Sequence, residues 1–454
     1  MRRVAIIGGG ISGLSAAYYL SRLGAASTLI ERQRRLGGVI QTERVRGCLV
    51  ENGPDSFLAQ KPWALELIRQ LGLESEVVGS NDHLRVTYVL RCGRLVALPD
   101  GLMLVAPTRI APVLTSGLLS WRSKLRLTLE LLRKPPASQP PDQSVADFLA
   151  EHYGQEAVDY IAEPLLAGVY GGDVKRLSAA SVLPQFLALE RTYGSLTRGM
   201  LALRRKGLRR SGPLFQTLRD GLGRLVEALA AATRATVELL GGEAEAIERR
   251  GEGYAVRLQG QWLEAKQVVL ACPAWEAARL LEGVDREVSE LLASVPYTSS
   301  ITVSLGYRVE ALNRPLKGFG FLVPQRERRA LAACTWVGNK FPHRVPAGMA
   351  LLRCFLLNEA LLEQDDASLV ALVREDLTRI MGLKAAPEFA RVARWPRSMA
   401  QYTVGHRERL DRLRARLRNL PGLHPVGNAY EGVGVPDCVR LGREAAQAIA
   451  AALE

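Results

Sequence analysis

The chain has 454 residues, enough for two or three domains around a large core, and 48% of them are hydrophobic. Lys and Arg number 60 against 46 Asp and Glu, a formal charge of +14 that favours anionic partners such as a membrane surface or a polycarboxylate, while 6% aromatic content without basic–aromatic runs speaks against nucleic acid. Six scattered cysteines without C-x-x-C, five dispersed histidines and no apolar run of roughly 20 residues argue against a disulfide framework, a metal site and a membrane span.

The apolar run Val4 to Ile7 feeds Gly8-Gly9-Gly10-Ile11-Ser12-Gly13, and a helical pattern follows from Leu14 to Leu23. This predicts strand, tight turn and helix. Gly8 lets the chain turn, Gly10 removes a side chain where a diphosphate must approach, and Gly13 permits close packing of helix on strand. A second apolar strand, Ser27 to Ile30, ends in Glu31, whose carboxylate suits the ribose hydroxyls of an adenine dinucleotide. Leu36-Gly37-Gly38 then lets a second loop lie against the cofactor, which fits FAD better than a plain nicotinamide. Met1-Arg2-Arg3 imitates a secretory leader only until Gly8 to Gly10 interrupt the apolar stretch, so a cytoplasmic protein with reduced thiols is expected.

Glu51 to Phe57 reads as a polar turn, followed by an amphipathic helix from Trp63 to Leu71. Alternation at 85–90 and 94–98 brackets Cys92-Gly93 as a hairpin turn. From Thr108 to Gly207 the pattern is mainly helical, broken by the Pro-rich linker Lys134 to Pro141. Within it, Ile110 to Arg133 mixes apolar residues with Arg122, Lys124, Arg126 and Arg133, which leaves open a peripheral membrane face or a soluble cap with a basic exterior. Strands are expected at 235–240, 244–249, 254–258, 267–270, 299–307, 320–323 and 350–356, and a helix from Ser368 to Met381. The chain closes on the turn Gly432 to Pro436 and a helix from Asp437 to Leu453, whose positive N-terminal end suits the far end of the cofactor.

These segments together resemble the porphyrinogen oxidases, flavoenzymes of the amine-oxidase-like superfamily, and the bacterial type above all. The motifs that carry the resemblance are Gly8 to Gly13 with Glu31, Leu36 to Gly38, Glu51 to Phe57, Leu98 to Gly101, Pro164 to Asp173 with Leu177-Ser178, Gly318 to Pro324, Arg394 to Pro396 with Gln401-Tyr402, and Gly427 to Cys438. The resemblance implies an α/β fold: an FAD-binding Rossmann-like domain from residues 1–84, 208–285 and 391–454, a β-rich substrate domain from 85–107 and 286–390, and a helical insert of membrane-binding type at 108–207. It implies FAD contacts at Gly8, Gly10, Ser12, Gly13, Glu31, Arg32, Gly37, Gly38, Gly53, Pro54, Asp55, Ser56, the Ala244 backbone, Trp395, Gly427, Val433, Gly434 and Val435. The substrate cavity it implies is lined by Phe319, Gly320, Leu322 and Phe355, with Gly168 and Val169 nearby.

By the same resemblance, hydride passes from a porphyrinogen to FAD and O2 reoxidises the flavin to give H2O2, so neither an acid–base set nor a metal is implied. Thr87 stands where many protoporphyrinogen oxidases carry a carboxylate-anchoring arginine, which favours coproporphyrinogen III over protoporphyrinogen IX; Arg85, Arg91 and Lys61 are the other cations available. A membrane surface, a homodimer and a downstream ferrochelatase are partners compatible with the resemblance. An amine oxidase, a carotenoid desaturase or a non-catalytic tetrapyrrole-handling flavoprotein are the rival readings.

Overall fold

In the computed structural model the described residues are 2–138, 141–205 and 212–453. Gln139 and Pro140 of the expected linker, and the expected end of the insert at residues 206 and 207, lie outside them.

A first sheet collects strands from distant parts of the chain in the order Val237–Gly241, Ser27–Glu31, Arg2–Ile7, Gln261–Leu270, Gly253–Leu258 and Ala244–Arg250. The first four run parallel, with Ile7 opposite Ile30 and Leu270, and Leu423–Pro425 joins in parallel beside Val268 to Leu270. At the centre of the sheet Val4 to Ile7 and Val268 to Leu270 are buried and read as unbroken apolar runs rather than alternating ones. Helix Ile11–Arg22 packs against the C-terminal helix Val435–Leu453 so closely that a Cβ on Gly442 would lie 2.5 Å from the Ser12 carbonyl oxygen.

A second sheet has the order Phe389–Ala400, Tyr297–Arg308, Met349–Leu356, Leu331–Trp336, Gly320–Leu322, Thr87–Arg91 and Arg94–Ala97. Only the Gly320–Leu322 and Thr87–Arg91 pair is parallel. Cys92 and Gly93 take φ of 49° and 74° in the hairpin between the last two strands, the left-handed turn that twists with the strands. Helix Asp366–Met381 covers one face of this sheet.

The sheets place two seams differently from the sequence reading. Helix Arg286–Ala293 buries Val288, Leu291 and Leu292 against the first sheet's core, so the chain joins the second sheet at Tyr297 rather than at 286. Strand Phe389–Ala400 pairs with Tyr297–Arg308, so Trp395 belongs to the second sheet rather than to the third flavin segment. That strand contains Pro396, which an edge position tolerates because no partner needs its missing N–H. A register shift between Thr298 and Ser300, with Arg397 at φ 45°, absorbs the extra residues. The expected polar turn at Glu51 to Phe57 begins instead inside strand Cys48–Glu51, where Glu51 is buried.

The described residues between Ile110 and Arg205 form helices around Phe148, Tyr153 and Phe186. Ser120 and Ser144 accept the N–H of Ser123 and Asp147 and so start helices Trp121–Glu130 and Val145–Tyr153. At the centre both ring nitrogens of buried His152 meet carboxylates, 3.0 Å from Glu130 and 3.1 Å from Glu190, so the ring serves both as an imidazolium. Burial opposes that charge, but the bonds to Glu130 and Glu190 raise its pKa above the ordinary histidine value. Burial likewise opposes ionisation of Glu130, yet bonds from His152, Thr197 and Ser195 hold it below the usual carboxylate range.

A raised histidine stabilises the fold below its unfolded pKa of about 6.5, and the contribution is lost as pH rises through the folded value; the lowered carboxylate loses its own contribution at acid pH. The stability gap between wild type and His152→Gln is therefore expected to be largest near pH 6 and to narrow as pH rises toward about 9. Parallel slopes in the two proteins would remove this role.

Candidate flavin and substrate site

At the mouth of the first sheet, Gly8 takes φ 107° and its absent Cβ would sit 2.7 Å from the Ala271 carbonyl oxygen. Gly13 is tighter still, with a Cβ position 1.9 Å from the Gly8 carbonyl oxygen. Gly10 differs: it precedes helix Ile11–Arg22 in extended backbone, no side chain caps the helix, and a Cβ there would find only the Gly38 Cα, at 4.0 Å. This leaves backbone N–H groups and the positive end of a helix facing open space, which fits a diphosphate. Glu31 accepts from the Gly9 N–H at 2.6 Å with one oxygen and from the Gln33 N–H at 2.7 Å with the other, which aims its remaining lone pairs. Gly37 donates to the Gly9 carbonyl at 2.8 Å and so binds the second glycine loop to the first. Arg32 is exposed beside them.

Gly53 to Ser56 form the next wall. A Cβ on Gly53 would lie 1.7 Å from the Val39 carbonyl oxygen, so this loop rests on the segment after Gly38. Four contacts hold it from the second sheet's side. The Trp395 indole donates to the Asn52 carbonyl at 2.8 Å, Arg353 donates to the Gly53 carbonyl, Arg344 donates to the Asp55 carbonyl at 2.8 Å, and Lys340 donates to Ser56 Oγ at 3.1 Å. Pro54 is half-buried between them.

Behind the loop lies a buried ion cluster. Lys340 pairs with Asp55 at 2.9 Å, Arg344 with Glu51 at 3.2 Å, and Arg353 with Asp55 at 3.9 Å. Burial opposes ionisation of Asp55, but Lys340, Arg353 and Arg344 hold it well below the usual carboxylate range. Burial raises Glu51 against the pull of Arg344, and lowers Lys340 and Arg353 against Asp55. Burial, then Arg344 and Arg219, push His343 down to about 4, so it adds no charge at neutral pH.

The C-terminal turn completes the cradle. Gly427, at φ 135°, would bring a Cβ no nearer than 4.0 Å to Ser12 Oγ, and Val433, Gly434 and Val435 lead into the last helix. Asp437 accepts the Gly434 N–H at 3.3 Å and pairs with Lys61 at 2.6 Å. Ala244 starts the outer strand of the first sheet, near the loop where Gly242 donates to the Glu31 carbonyl at 3.0 Å; the Ala244 carbonyl itself accepts from Arg279 at 2.8 Å.

Directly opposed residues in a sheet share a face. Thr87, Gly320, Thr335 and Arg353 are successive partners across the second sheet, and Leu322, Ala333 and Phe355 form the next row on that same face. Phe321, Cys334 and Cys354 point the other way, into the core under helix Asp366–Met381. Gly320, at φ 140°, admits no side chain, since a Cβ would lie 2.0 Å from the Cys334 carbonyl oxygen. Phe319 is buried, its N–H donating to Val86 and its carbonyl accepting from Trp336, both at 2.8 Å. Helix Glu163–Tyr170 packs near this face through Glu163, which binds Arg328 and the Gln325 N–H. It leaves Val169 exposed and Gly168 with nothing within 4 Å of a Cβ position.

The sequence profile of the flavin-containing amine oxidoreductases matches residues 11–450. The chain belongs to that family. This flavin amine oxidoreductase is 36% identical to the coproporphyrinogen III oxidase of Bacillus subtilis, over 98% of its own length and 97% of the relative's. It is 30% identical to the protoporphyrinogen oxidase of Bos taurus, with 98% of each chain covered. A crystal structure from Exiguobacterium sp. 255-15, described as a candidate protoporphyrinogen oxidase, superposes with a TM-score of 0.89 at 31% identity over 99% of both chains. A cyclohexylamine oxidase from Brevibacterium oxydans superposes with a TM-score of 0.71 at 19% identity and shares the fold.

FAD is the cofactor of this flavin amine oxidoreductase, and the glycine cradle, the bare helix N-terminus and the braced Glu31 all suit it. The sequence reading missed Lys340, Arg344 and Arg353. Arg353, alone among the apolar residues of strand Met349–Leu356, was the one local signal; the other two acquire meaning only through partners nearly 300 residues away.

Proposed function

We propose that this protein oxidises a porphyrinogen to the porphyrin, three O2 becoming three H2O2, with coproporphyrinogen III as the substrate and protoporphyrinogen IX as the nearest alternative. The observation that carries the reading is the sheet face of Thr87, Gly320, Leu322, Ala333 and Phe355, uncharged apart from Arg353, which the Gly53 loop engages. Such a wall orients a flexible apolar ring, and no acid–base pair is needed at the reacting carbon when FAD accepts the hydride. Phe319, Gly320, Leu322, Phe355, Gly168 and Val169 are its proposed lining. The residues named above as FAD contacts hold the cofactor, with the Gly53 to Ser56 loop and Trp395 between it and the second sheet.

The propionates need cations. Arg91 is taken by Glu156 at 2.7 Å and Lys61 by Asp437, whereas Arg85 has only a 3.7 Å contact with Asp82 and a side chain 43% exposed. Arg85, two residues before Thr87, is the proposed carboxylate anchor. Porphyrin fluorescence from the FAD-loaded protein, given both porphyrinogens in parallel under air, tests the reading. Preference for coproporphyrinogen III is expected, with Arg85→Ala raising its KM about tenfold, roughly 1.4 kcal/mol. No product from either substrate would sink the assignment.

No helix among the described residues is long and apolar enough to cross a membrane. Peripheral attachment from the cytoplasm is part of the proposal, because helix Trp121–Glu130 and the turn after it expose Trp121, Leu125, Leu129 and Leu132 on one stripe, beside exposed Arg122 and Lys134. Replacing Leu125, Leu129 and Leu132 together by serine is expected to weaken sedimentation with anionic phosphatidylglycerol vesicles at least about tenfold. Unchanged sedimentation would favour the soluble-cap reading. Self-association, and hand-over of the product to a ferrochelatase, complete the proposed setting.

A further inference from the structure

The cluster behind the Gly53 to Ser56 loop holds three cations, Lys340, Arg344 and Arg353, against two carboxylates, Asp55 and Glu51, so one positive charge is uncompensated. Donors are also in excess there, since the Nε atoms of both Arg344 and Arg353 are buried without a partner. Stability alone does not explain the surplus, because a buried charge without a counterion is costly. The cluster grips Gly53, Asp55 and Ser56, the wall through which the second sheet reaches the cofactor.

We infer that Lys340, Arg344 and Arg353 act as positioning residues that set the reduction potential of the flavin, by holding one unbalanced positive charge behind the loop that borders it. This rests on the proposed contact between that loop and FAD. Hydride transfer brings an electron pair and one proton to the flavin, so the cofactor gains negative charge on reduction. A fixed positive charge in a poorly solvated site stabilises that product and makes the flavin a stronger oxidant. Because the arginines and Lys340 bind the loop's own carbonyls and hydroxyl, the charge and the loop move together.

The test compares midpoint potentials of FAD-loaded variants, measured by equilibration with a reference dye. Lys340→Met leaves the cluster neutral, Asp55→Asn leaves it doubly positive, and the double variant restores a single positive charge. The potential is expected to fall in K340M and rise in D55N, each by about tenfold in the reduction equilibrium, ~30 mV for a two-electron couple, and to return near the wild-type value in the double variant. A purely structural cluster would shift both single variants in the same direction. Same-sign shifts, or none, in proteins that retain FAD overturn the inference and leave the flavin site standing. A wild-type protein that does not retain FAD overturns the site reading itself. Where K340M or D55N does not fold, R353K and R353Q read the same charge at another member: the potential is kept in the first and lowered in the second, and any other pattern overturns the inference.

Discussion

Replacing Gly10 by valine is expected to yield a folded but colourless protein. Gly10 has φ −72° and ψ 179°, a conformation open to any residue, and 4.0 Å of clearance to the nearest heavy atom, so the protein itself has room for the side chain. The valine methyls would instead occupy the space in front of the uncapped helix N-terminus, the proposed place of the diphosphate. FAD affinity is expected to drop at least about 100-fold, near 2.7 kcal/mol, while the flavin-free variant melts like flavin-free wild type. Gly13→Val supplies the contrast. Its Cβ meets the Gly8 carbonyl at 1.9 Å, so flavin is lost together with stability of the flavin-free protein. Gly283→Ala, with nothing within 4 Å, is the neutral control. A Gly10→Val protein that purifies with stoichiometric flavin would falsify this placement of the diphosphate.

Arg344→Met is expected to remove a large part of the protein's stability without any steric clash. Arg344 is 1% exposed and its guanidinium binds Glu51, the Asp55 carbonyl and Thr217 Oγ1 at 3.2, 2.8 and 2.7 Å. Removing it leaves the buried Glu51 charge without its counterion, held only by the Thr42 hydroxyl and the Leu222 N–H, and deprives a carbonyl and a hydroxyl of their donor, a cost of about 3–5 kcal/mol. At this chain length, with roughly 1 °C per kcal/mol, the melting temperature should fall by about 3–5 °C. Adding Glu51→Gln should recover part of the loss, since the unpaired charge disappears while the Leu222 N–H keeps an acceptor. A melting curve unchanged by Arg344→Met, or a double variant less stable than the single by the full cost of a second defect, would show that the pair contributes little.

The parts of the fold that were legible in the sequence are those where backbone geometry alone dictates the residue. Gly8 and Gly13 each answer a local steric demand, Cys92-Gly93 a turn, and the apolar stretches at 27–30, 254–258 and 350–356 a buried strand. Strand Leu331–Trp336 was missed because it is short and flanked by charge, and Phe389–Ala400 because Pro396 and a shifted register interrupt its alternation. Helices Gly223–Thr233, Ala274–Leu281 and His406–Leu417 were passed over in segments read only for strands and glycine turns. The glycine half of the proposed site is local, so the sequence alone suggests it. The charged half was not visible, because Asp55 finds Lys340 and Arg353, and Glu51 finds Arg344, only once both sheets are built.

The central parallel strands of the first sheet also bear on how the protein is made. Strand Arg2–Ile7 leaves the ribosome long before its neighbour Gln261–Leu270, and the helix after it rests on Val435–Leu453. No nascent fragment contains a closed cofactor cradle. At about 5–20 residues per second, the N-terminal strand and its glycine turn wait roughly 20–90 s for their last partner. Cofactor capture is thereby deferred until Val435–Leu453 has been made, and loss of that helix forfeits the flavin however early in the chain its binding motif lies.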